Sequence, residues 1–459
     1  MVKTELRLAE LIGALSYALD ITEGQPEGHC VRCCLIGMRL GRLLGLPESA
    51  LAELYYTLLL KDLGCSSNAA RICELYITDD LSFKRDVKLL DDESFLEAAQ
   101  FALGHTALGG GLWQRFKVLL TSLRTKDAAA QELIVTRCQR GASIARRLRF
   151  DERVAQGIHS LDEHWNGVGR PERLAGSDIP IYSRIALLAQ VVDVFNTEGG
   201  ARAALAEANN RSGSWFDPAL VALLDQLGPD DELWRALSAP DLAERVFAQE
   251  PAQFSVTVDD DYLDQIAAAF GEVVDSKSPY TAGHSARVAL YTDAIAAELG
   301  LSQERRRWLQ RGALLHDVGK LGVSNAILDK PGKLTSEEWD AVRKHAVFTE
   351  QILSRIPPFR ELSVVAAAHH ERLDGKGYPR GLHAADIALE TRVITTADIF
   401  DAITAARPYR EAVPVPRTLE IMAESVGTAL DPECFAALRR VVPVLEAVRH
   451  TKPPSVRAA

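Results

Sequence analysis

The short stretch from Leu314 to Lys320 places an adjacent histidine and aspartate, His316 and Asp317, at the end of an apolar run. Imidazole nitrogens and carboxylate oxygens are ligands that borderline divalent metals such as iron, manganese and zinc accept. If the segment is helical, neighbouring residues do not share a face. A single metal bound by both would then lie in the cleft between them, or Asp317 would bridge two metals while His316 binds one.

Four more histidines and one more aspartate follow the same pattern in the C-terminal half. Each lies in a segment that looks helical and has an apolar face; they are His284, His345, His369, His370 and Asp398. Any one of these histidines is compatible with a hydrogen-bonded core residue. Buried polar groups need partners, so this many imidazoles inside apolar helices are better explained by bound metal than by packing.

These residues stand in motifs that resemble the HD-GYP domain, a phosphohydrolase group of the HD superfamily. The matching motifs are Gly283-His284-Ser285, Leu315-His316-Asp317-Val318-Gly319-Lys320, Lys330-Pro331-Gly332-Lys333, His369-His370-Glu371, Gly375-Lys376-Gly377-Tyr378-Pro379, Ala397-Asp398-Ile399-Phe400-Asp401 and Arg407-Pro408-Tyr409-Arg410. The resemblance covers about residues 255 to 450 and implies an all-α fold.

The resemblance also implies a site for two divalent metals, iron or manganese, that hydrolyses cyclic di-GMP to linear pGpG with a hydroxide that bridges the metals. It assigns seven metal ligands: His284, His316, Asp317, His345, His369, His370 and Asp398. Asp317, as the bridging ligand, and Lys320 are the expected catalytic residues. Arg407, Arg410 and Tyr378 are the expected substrate-binding residues, because guanidinium groups match phosphate geometry and a tyrosine ring can stack on a base.

Two departures from the family pattern bear on the chemistry. Members of the family that bind a third metal have a glutamate four residues before the first histidine. In this sequence that position is Tyr280, a poor ligand at neutral pH. We therefore expect two metals and a product that stops at the linear dinucleotide. Thr349 stands where the family usually has glycine, and we expect it to alter helix packing near the site.

The motif around His284 has a counterpart in the N-terminal half, where Gly28-His29 is followed by a helix of matching length. A second block, Asn166-Gly167-Val168-Gly169-Arg170-Pro171, matches Asp374-Gly375-Lys376-Gly377-Tyr378-Pro379, and two colinear blocks predict a duplication. In the first copy most of the expected ligands are replaced: His316 by Lys61, His345 by Arg137, His369-His370 by Leu161-Asp162, and Asp398 by Gln190. His29 and Asp62 alone cannot complete a two-metal site, so we expect this copy to bind no catalytic metal.

The predicted fold class is all-α, with tandem HD-type helical bundles that are each followed by a helical HD-GYP extension. The first copy is predicted over residues 1–237 with an insertion within about residues 65–135, and it is expected to serve regulation or dimerisation. A linker over 238–258 precedes the phosphohydrolase domain at 259–450, and 451–459 is a tail. At the N-terminus, residues 6 to 20 predict an amphipathic helix.

Composition excludes several function classes. The net charge of −11 argues against a general DNA-binding or anionic-membrane surface. No apolar run approaches the length of a membrane span, and the N-terminus lacks a signal-peptide pattern. Seven cysteines without scaffold spacing suggest a reducing compartment, so we expect a cytoplasmic protein, and Cys30-x-x-Cys33 is better explained by packing than by zinc or redox chemistry.

Three functions are compatible with the sequence. The first is a cyclic dinucleotide phosphodiesterase. The second has the same chemistry on another nucleotide or phosphoester, since fold and metals do not select the base. The third is a non-catalytic nucleotide-binding scaffold, with a possible homodimer through the helical N-terminal region. A complete ligand set in the second copy favours an enzyme over the third alternative.

Overall fold

The fold is built from helices. The computed structural model describes residues 6–88, 112–251, 256–406 and 411–451, with side chains omitted for 112–128 and 446–451. Within these ranges all regular secondary structure is helical, and extended residues form only isolated bridges. The predicted all-α class is therefore confirmed.

The chain divides into two compact units. The first contains Met1–Ala269 together with two short later segments, Ser276–Ser278 and Leu321–Asp329. Its described helices, numbered in chain order, are α1 (Leu8–Thr22), α2 (His29–Leu43), α3 (Glu48–Leu60), α4 (Ala69–Tyr76), α5 (Asp80–Val87), α6 (Leu112–Arg147), α7 (Glu152–His159), α8 (Ile181–Asn210), α9 (Pro218–Leu227), α10 (Glu232–Ala236) and α11 (Leu242–Phe247).

Helix α1 lies at the centre of the first unit. It packs against α2, α3 and α11, and most of its residues are buried, including the predicted apolar side chains of Leu11, Ile12 and Leu15. Glu10, Tyr17 and Ile21 are half-buried and share one face, so the helix keeps a partly exposed side. The predicted amphipathic helix is therefore confirmed, and the buried polar side chains of α1 hydrogen-bond inside the core.

The second unit contains the remaining C-terminal residues. Helix α12 (Asp260–Asp275) begins in the first unit and ends in the second. The others are α13 (His284–Glu298), α14 (Gln303–Leu315), α15 (Asn325–Leu328, counted with the first unit), α16 (Ser336–Leu353), α17 (Arg360–Ala367), α18 (Leu389–Thr404), α19 (Val415–Ala423) and α20 (Pro432–Thr451). Helix α13 packs against α14, α18 and α20 around a core that includes Val288, Ile295, Phe400 and Leu438.

The same local contacts recur in both units. Helices α2 and α13 each begin after a glycine with positive φ, Gly28 at 85° and Gly283 at 69°. The first histidine of each helix then donates from Nδ1 to an aspartate 2.7 Å away, His29 to Asp193 and His284 to Asp401. The two units therefore share this local arrangement at the starts of α2 and α13.

No helix among the described residues has both the length and the hydropathy that crossing a bilayer requires.

Candidate metal centre

The seven predicted ligands all lie in the second unit and come from five elements. His284 is the first residue of α13, His345 lies within α16, and Asp398 lies within α18. The pair His316 and Asp317 directly follows α14, and His369 with His370 follows α17. The expectation that every ligand lies inside a helix is therefore wrong for these two pairs, which occupy the turns where α14 and α17 end.

The structure brings the seven side chains into two adjoining groups. Within each group the atoms that could bind a metal lie within 4.8 Å of one another. The first group is His284, His316 and Asp398; the second is Asp317, His345, His369 and His370. Six of the seven side chains are buried and His370 is half-buried.

Asp317 stands between the two groups. Its Oδ2 atom lies 3.5 Å from His284 Nε2 and 3.4 Å from His316 Nε2. Its Oδ1 atom lies 3.6 Å from His345 Nε2 and 3.7 Å from His369 Nε2. Each carboxylate oxygen therefore faces a different group, which is the geometry that a bridging ligand requires.

Three imidazole rings are oriented by carbonyl groups of their own chain segments. The Nδ1 atoms of His316, His345 and His369 lie 2.7, 2.5 and 2.6 Å from the carbonyl oxygens three residues earlier. A carbonyl oxygen only accepts hydrogen bonds, so each Nδ1 carries the proton and donates it. This leaves the Nε2 lone pair of the neutral ring free to bind a metal, because a hydrogen bond from the other ring nitrogen fixes the tautomer and orientation of a metal-binding histidine.

The unpaired atoms of the site fit a bound cation. Among the described residues, His284 Nε2, His316 Nε2 and Asp317 Oδ1 are buried and lack a hydrogen-bond partner. Buried polar atoms are rarely left in this state, because each costs free energy of desolvation. A divalent metal would supply the missing partner for all three atoms, and nitrogen with oxygen donors suits iron, manganese or zinc.

His284 is oriented by Asp401, a residue to which the sequence analysis assigned no role. The Oδ2 atom of Asp401 accepts from His284 Nδ1, and its Oδ1 atom accepts from Arg287 Nε at 2.6 Å. Asp401 is buried and lies three residues after Asp398 on α18, so both carboxylates share a helix face. That spacing is the signal by which the sequence could have identified it.

Acidic groups dominate the electrostatics of the first group. Burial by itself lowers the pKa of His316, but the charges of Asp317 and Asp398 outweigh it and raise that pKa to about 9. Burial would raise the pKa of Asp317, yet Lys320 and the neighbouring histidines hold it well below its ordinary value. Burial also lowers the pKa of His345 to about 4. The first group therefore favours positive charge, and His345 stays neutral.

The other predicted site residues have mixed outcomes. Lys320 donates from Nζ to Asp317 Oδ2 and remains partly exposed. The Tyr378 ring lies 4.8 Å from the His370 ring and 6.2 Å from the His345 ring, measured between centroids. Arg407 and Arg410 lie outside the described residues. Tyr280 lies outside both groups and is 39% exposed.

Thr349 connects α16 to the turn that follows Asp317. Its hydroxyl accepts from the Gly319 backbone N–H at 3.0 Å and donates to the His316 carbonyl at 2.9 Å. Gly319 packs so closely here that a Cβ atom would stand 1.9 Å from the His345 carbonyl oxygen. The threonine thus replaces the family glycine with two hydrogen bonds that hold two ligand-bearing segments together.

In the sequence, Thr335-Ser336-Glu337-Glu338 predicts a capping box at the start of the helix that carries His345. Thr335 Oγ1 accepts from the Glu338 backbone N–H, and the Glu338 side chain accepts from the Thr335 backbone N–H. This prediction is confirmed. The cap sets where α16 starts and therefore which residues of the helix face the site.

Glu371 holds the loop that contains Tyr378. Its buried carboxylate accepts from the backbone N–H groups of Arg380, Gly381 and Leu382. Gly377 allows the loop to fold back, because a Cβ atom there would lie 2.5 Å from the Arg372 nitrogen. The glutamate was part of the motif but had no predicted role.

In the first unit, a lysine ammonium lies among the counterparts of the metal ligands. Lys61 is 2% exposed, and its Nζ lies 3.1 Å from His29 Nε2 and 3.1 Å from Gln190 Oε1. It also forms an ion pair with buried Asp62. Burial and the charge of Lys61 lower the pKa of His29 to about 4, so this histidine is neutral.

Comparison with known protein families gives a match in each half of the chain. A family model described as HD domain matches residues 117–220 and 269–434, which is more than half of the chain. The chain belongs to the HD domain family. Within it, the motifs place the chain in the HD-GYP group of metal-dependent phosphodiesterases, with a degenerate first copy.

Named relatives include the 3'3'-cGAMP-specific phosphodiesterase 3 of Vibrio cholerae serotype O1, which is 56% identical over 438 residues, 95% of each chain. The 3'3'-cGAMP-specific phosphodiesterase 1 of the same organism is 35% identical over 51% of this chain and 55% of its own. The cyclic di-GMP phosphodiesterase response regulator RpfG of Xanthomonas campestris is 39% identical over 34% of this chain and 41% of its own.

One solved structure covers almost the whole HD-GYP protein. It is a crystal structure of a cyclic GMP-AMP specific phosphodiesterase of V. cholerae, V-cGAP3, with 50% identity and a TM-score of 0.65. The match covers 98% of this chain and 99% of that one. The likeness therefore includes the degenerate first unit as well as the unit with the candidate metal centre.

Proposed function

We propose that this protein hydrolyses one phosphodiester bond of a cyclic dinucleotide, with 3'3'-cGAMP as the preferred substrate. The observation that supports the activity most is the convergence of seven predicted ligands into two groups that share Asp317. The choice of 3'3'-cGAMP over cyclic di-GMP rests on the relative that is 56% identical over nearly the whole chain. Cyclic di-GMP, the sequence-based expectation, is the second candidate.

In the proposed site each group holds one divalent metal. His284, His316 and Asp398 would bind the first, His345, His369 and His370 the second, and Asp317 both. When bound, such a metal pair lowers the pKa of a coordinated water and neutralises charge on the phosphoryl oxygens. Iron and manganese are the proposed metals, because both accept this nitrogen and oxygen donor set.

The protein's own side chains supply orientation and charge. Carbonyl groups and Asp401 hold the imidazole rings in the orientation that directs Nε2 into the site. The Lys320 ammonium is paired with Asp317 but partly exposed, so it is placed to donate to a phosphate oxygen of an incoming substrate. Overall, one water is added and one P–O3' bond is broken, which yields a linear dinucleotide with a 5'-phosphate.

The first unit is proposed to be a regulatory or dimerisation module without a catalytic metal. Lys61 provides a fixed positive charge among His29, Asp62 and Gln190, and this charge satisfies the polar atoms that a metal would otherwise bind. A second cation beside a buried ammonium group would be repelled.

The test is a competition assay on the full chain. Purified protein is incubated with Mn²⁺ or Fe²⁺ and equal amounts of 3'3'-cGAMP, cyclic di-GMP and cyclic di-AMP, and the products are separated by chromatography. We expect 3'3'-cGAMP to be consumed first and to stop at the linear dinucleotide. Faster consumption of cyclic di-GMP would transfer the proposal to that substrate, and release of mononucleotides would contradict the two-metal site.

Two variants serve as controls for the metal centre. His316→Ala and Asp317→Ala should each abolish hydrolysis and lower the metal content per chain. If a variant in which all seven proposed ligands are replaced by alanine still retains stoichiometric iron or manganese, the first unit binds metal and its proposed role is wrong. Tight binding of substrate by the wild-type protein without turnover would favour the scaffold alternative.

A further inference from the structure

A tryptophan stands exposed beside the candidate metal centre. Trp339 lies on α16, two turns before the buried His345, and is 46% exposed. The other four tryptophans whose side chains the structure describes, at positions 165, 215, 234 and 308, are buried or half-buried. An exposed indole leaves a large apolar surface in contact with water, which is unfavourable unless another group covers it.

The indole lines a depression of about 330 Å³ together with Ser336, Asp340, Arg343 and Tyr378. Trp339 and Arg343 are four residues apart and therefore share a face of α16. The Arg343 guanidinium stands over the Tyr378 ring, 5.8 Å from its centroid. Among the described residues Arg343 pairs with Asp340, at 3.4 Å, and both side chains are exposed, so Arg343 can exchange this partner at little cost.

Tyr378 connects the depression to the candidate metal centre. The Tyr378 ring contacts Arg343 in the depression and also lies beside the rings of His370 and His345. A group in the depression would thus lie one ring away from the second group of proposed ligands. A base in the depression and a phosphate at the metals would therefore lie on the two sides of the Tyr378 ring.

We propose that Trp339 and Arg343 form a base-binding subsite, in which one purine base of the cyclic dinucleotide stacks on the Trp339 indole beside Tyr378. The inference rests on the proposed function and adds two residues to it. The depression, of about 330 Å³, is at the small end of the range of about 300–1,000 Å³ that ligand pockets commonly occupy, so it has room for one base of the dinucleotide. Stacking on an aromatic face tolerates either purine, and an arginine beside it adds a cation–π contact or binds phosphate.

The first test measures kcat, KM and metal content for Trp339→Ala and Trp339→Phe with 3'3'-cGAMP. The alanine variant should raise KM about tenfold or more with kcat within about twofold, because the lost stacking acts on bound substrate and transition state alike. The phenylalanine variant should keep most of the affinity. Metal content should not change in either variant.

Neighbouring residues on the same helix provide matched controls. Val347→Ala removes another exposed apolar side chain of α16, and Lys344→Ala removes a cation next to Arg343 but outside the depression. Neither should change KM, whereas Arg343→Ala should raise it. An unchanged KM in Trp339→Ala, or a loss of kcat together with lost metal, would overturn the subsite.

A binding measurement separates this inference from the proposed function. GMP should quench indole fluorescence more in the wild-type protein than in Trp339→Phe, and ribose 5-phosphate, which has no base, should quench neither. If the wild-type protein hydrolyses no cyclic dinucleotide, the proposed function fails, and the GMP titration still decides the subsite. Equal quenching in both proteins would show that the base binds elsewhere.

Discussion

At the residue scale, the properties of the candidate metal centre depend on which individual atoms face one another. The two oxygens of Asp317 face different groups of histidines, and three Nδ1–H groups are committed to carbonyl oxygens. The sequence motifs define which residue types are present. The structure shows which atom each carboxylate oxygen or ring nitrogen contacts, and that contact determines its role. At this scale the consequences of single substitutions can be stated most sharply.

Asp401 orients His284 and Arg287, so its replacement should weaken metal binding without removing a proposed ligand. Asp401→Asn keeps the shape but loses the negative charge that accepts from both partners. We expect metal affinity to fall by about 10–100-fold, as for other carboxylates that hydrogen-bond to a metal-binding histidine. Titration against a competing chelator measures it, with the exposed Asp386→Asn as the control. Equal affinity in the Asp401 variant would show that His284 is oriented without it.

Lys61 should be essential for the stability of the first unit. Lys61→Met keeps a long apolar stem but leaves the carboxylate of Asp62 buried without its cation. Breaking a buried ion pair on one side costs about 3–5 kcal/mol. Denaturant unfolding measures this, and Lys344→Met, on an exposed helix face, should cost far less. Wild-type stability in Lys61→Met would mean that Asp62 has another source of compensation.

At the scale of elements, the ligands depend on how helix ends and turns are joined. His316 and Asp317 follow α14, and the turn after them is attached to α16 through Thr349. The position of the second group of ligands relative to Asp317 therefore depends on hydrogen bonds between two elements and not on either helix alone.

Thr349→Val tests this connection. Valine has nearly the shape of threonine but lacks the hydroxyl, so the Gly319 N–H loses its acceptor in a buried place. We expect a loss of about 1–3 kcal/mol in the free energy of unfolding. Thr349→Ser retains the hydroxyl and should remain closer to the wild-type protein. If the valine variant is the more stable of the two, packing and not hydrogen bonding accounts for this residue.

At the scale of the whole molecule, stability depends on buried ionisable groups. Asp20 in α1 accepts from the backbone N–H groups of Gly28 and Cys30, yet burial raises its pKa from 3.8 to about 6. His29, next to it, is held neutral with a pKa of about 4. The two shifts act in opposite directions between pH 4 and 6.5.

Asp20→Asn should make the protein less tolerant of mild acid. A raised pKa in the folded state means that stability from Asp20 is fully present below pH 3.8 and is lost as the pH rises through about 6. His29 acts oppositely, because its lowered pKa removes stability as the pH falls from 6.5 towards 4. Without Asp20, only the His29 effect remains in this window.

The stability advantage of the wild-type protein over Asp20→Asn should therefore be larger at pH 4 than at pH 7, by about 3 kcal/mol at most. Urea unfolding at intervals between pH 4 and pH 8 measures the difference. The exposed Asp230→Asn should give a curve parallel to that of the wild-type protein. An advantage that grows with pH would reverse the sign and contradict the raised pKa of Asp20.

The sequence by itself determined the chemistry and the class of fold. The candidate ligands can be identified from short motifs because metals select particular donor atoms. The all-α class can be predicted because helical periodicity is a local property of the sequence. The capping box at Thr335 and the replacement of a ligand by Lys61 were visible for the same reason. What remained open was every feature that depends on residues far apart in the chain.

Only the tertiary structure decided these features. The position of Asp317 between two groups of histidines, the contact of Asp401 with His284, and the burial of most of α1 each depend on packing between distant segments. The segments 276–278 and 321–329 belong to the first unit, and Asp80 of α5 binds Lys277 and Asn325 there. Local patterns cannot show such pairs, because desolvation and charge act between whichever atoms the completed fold brings into contact.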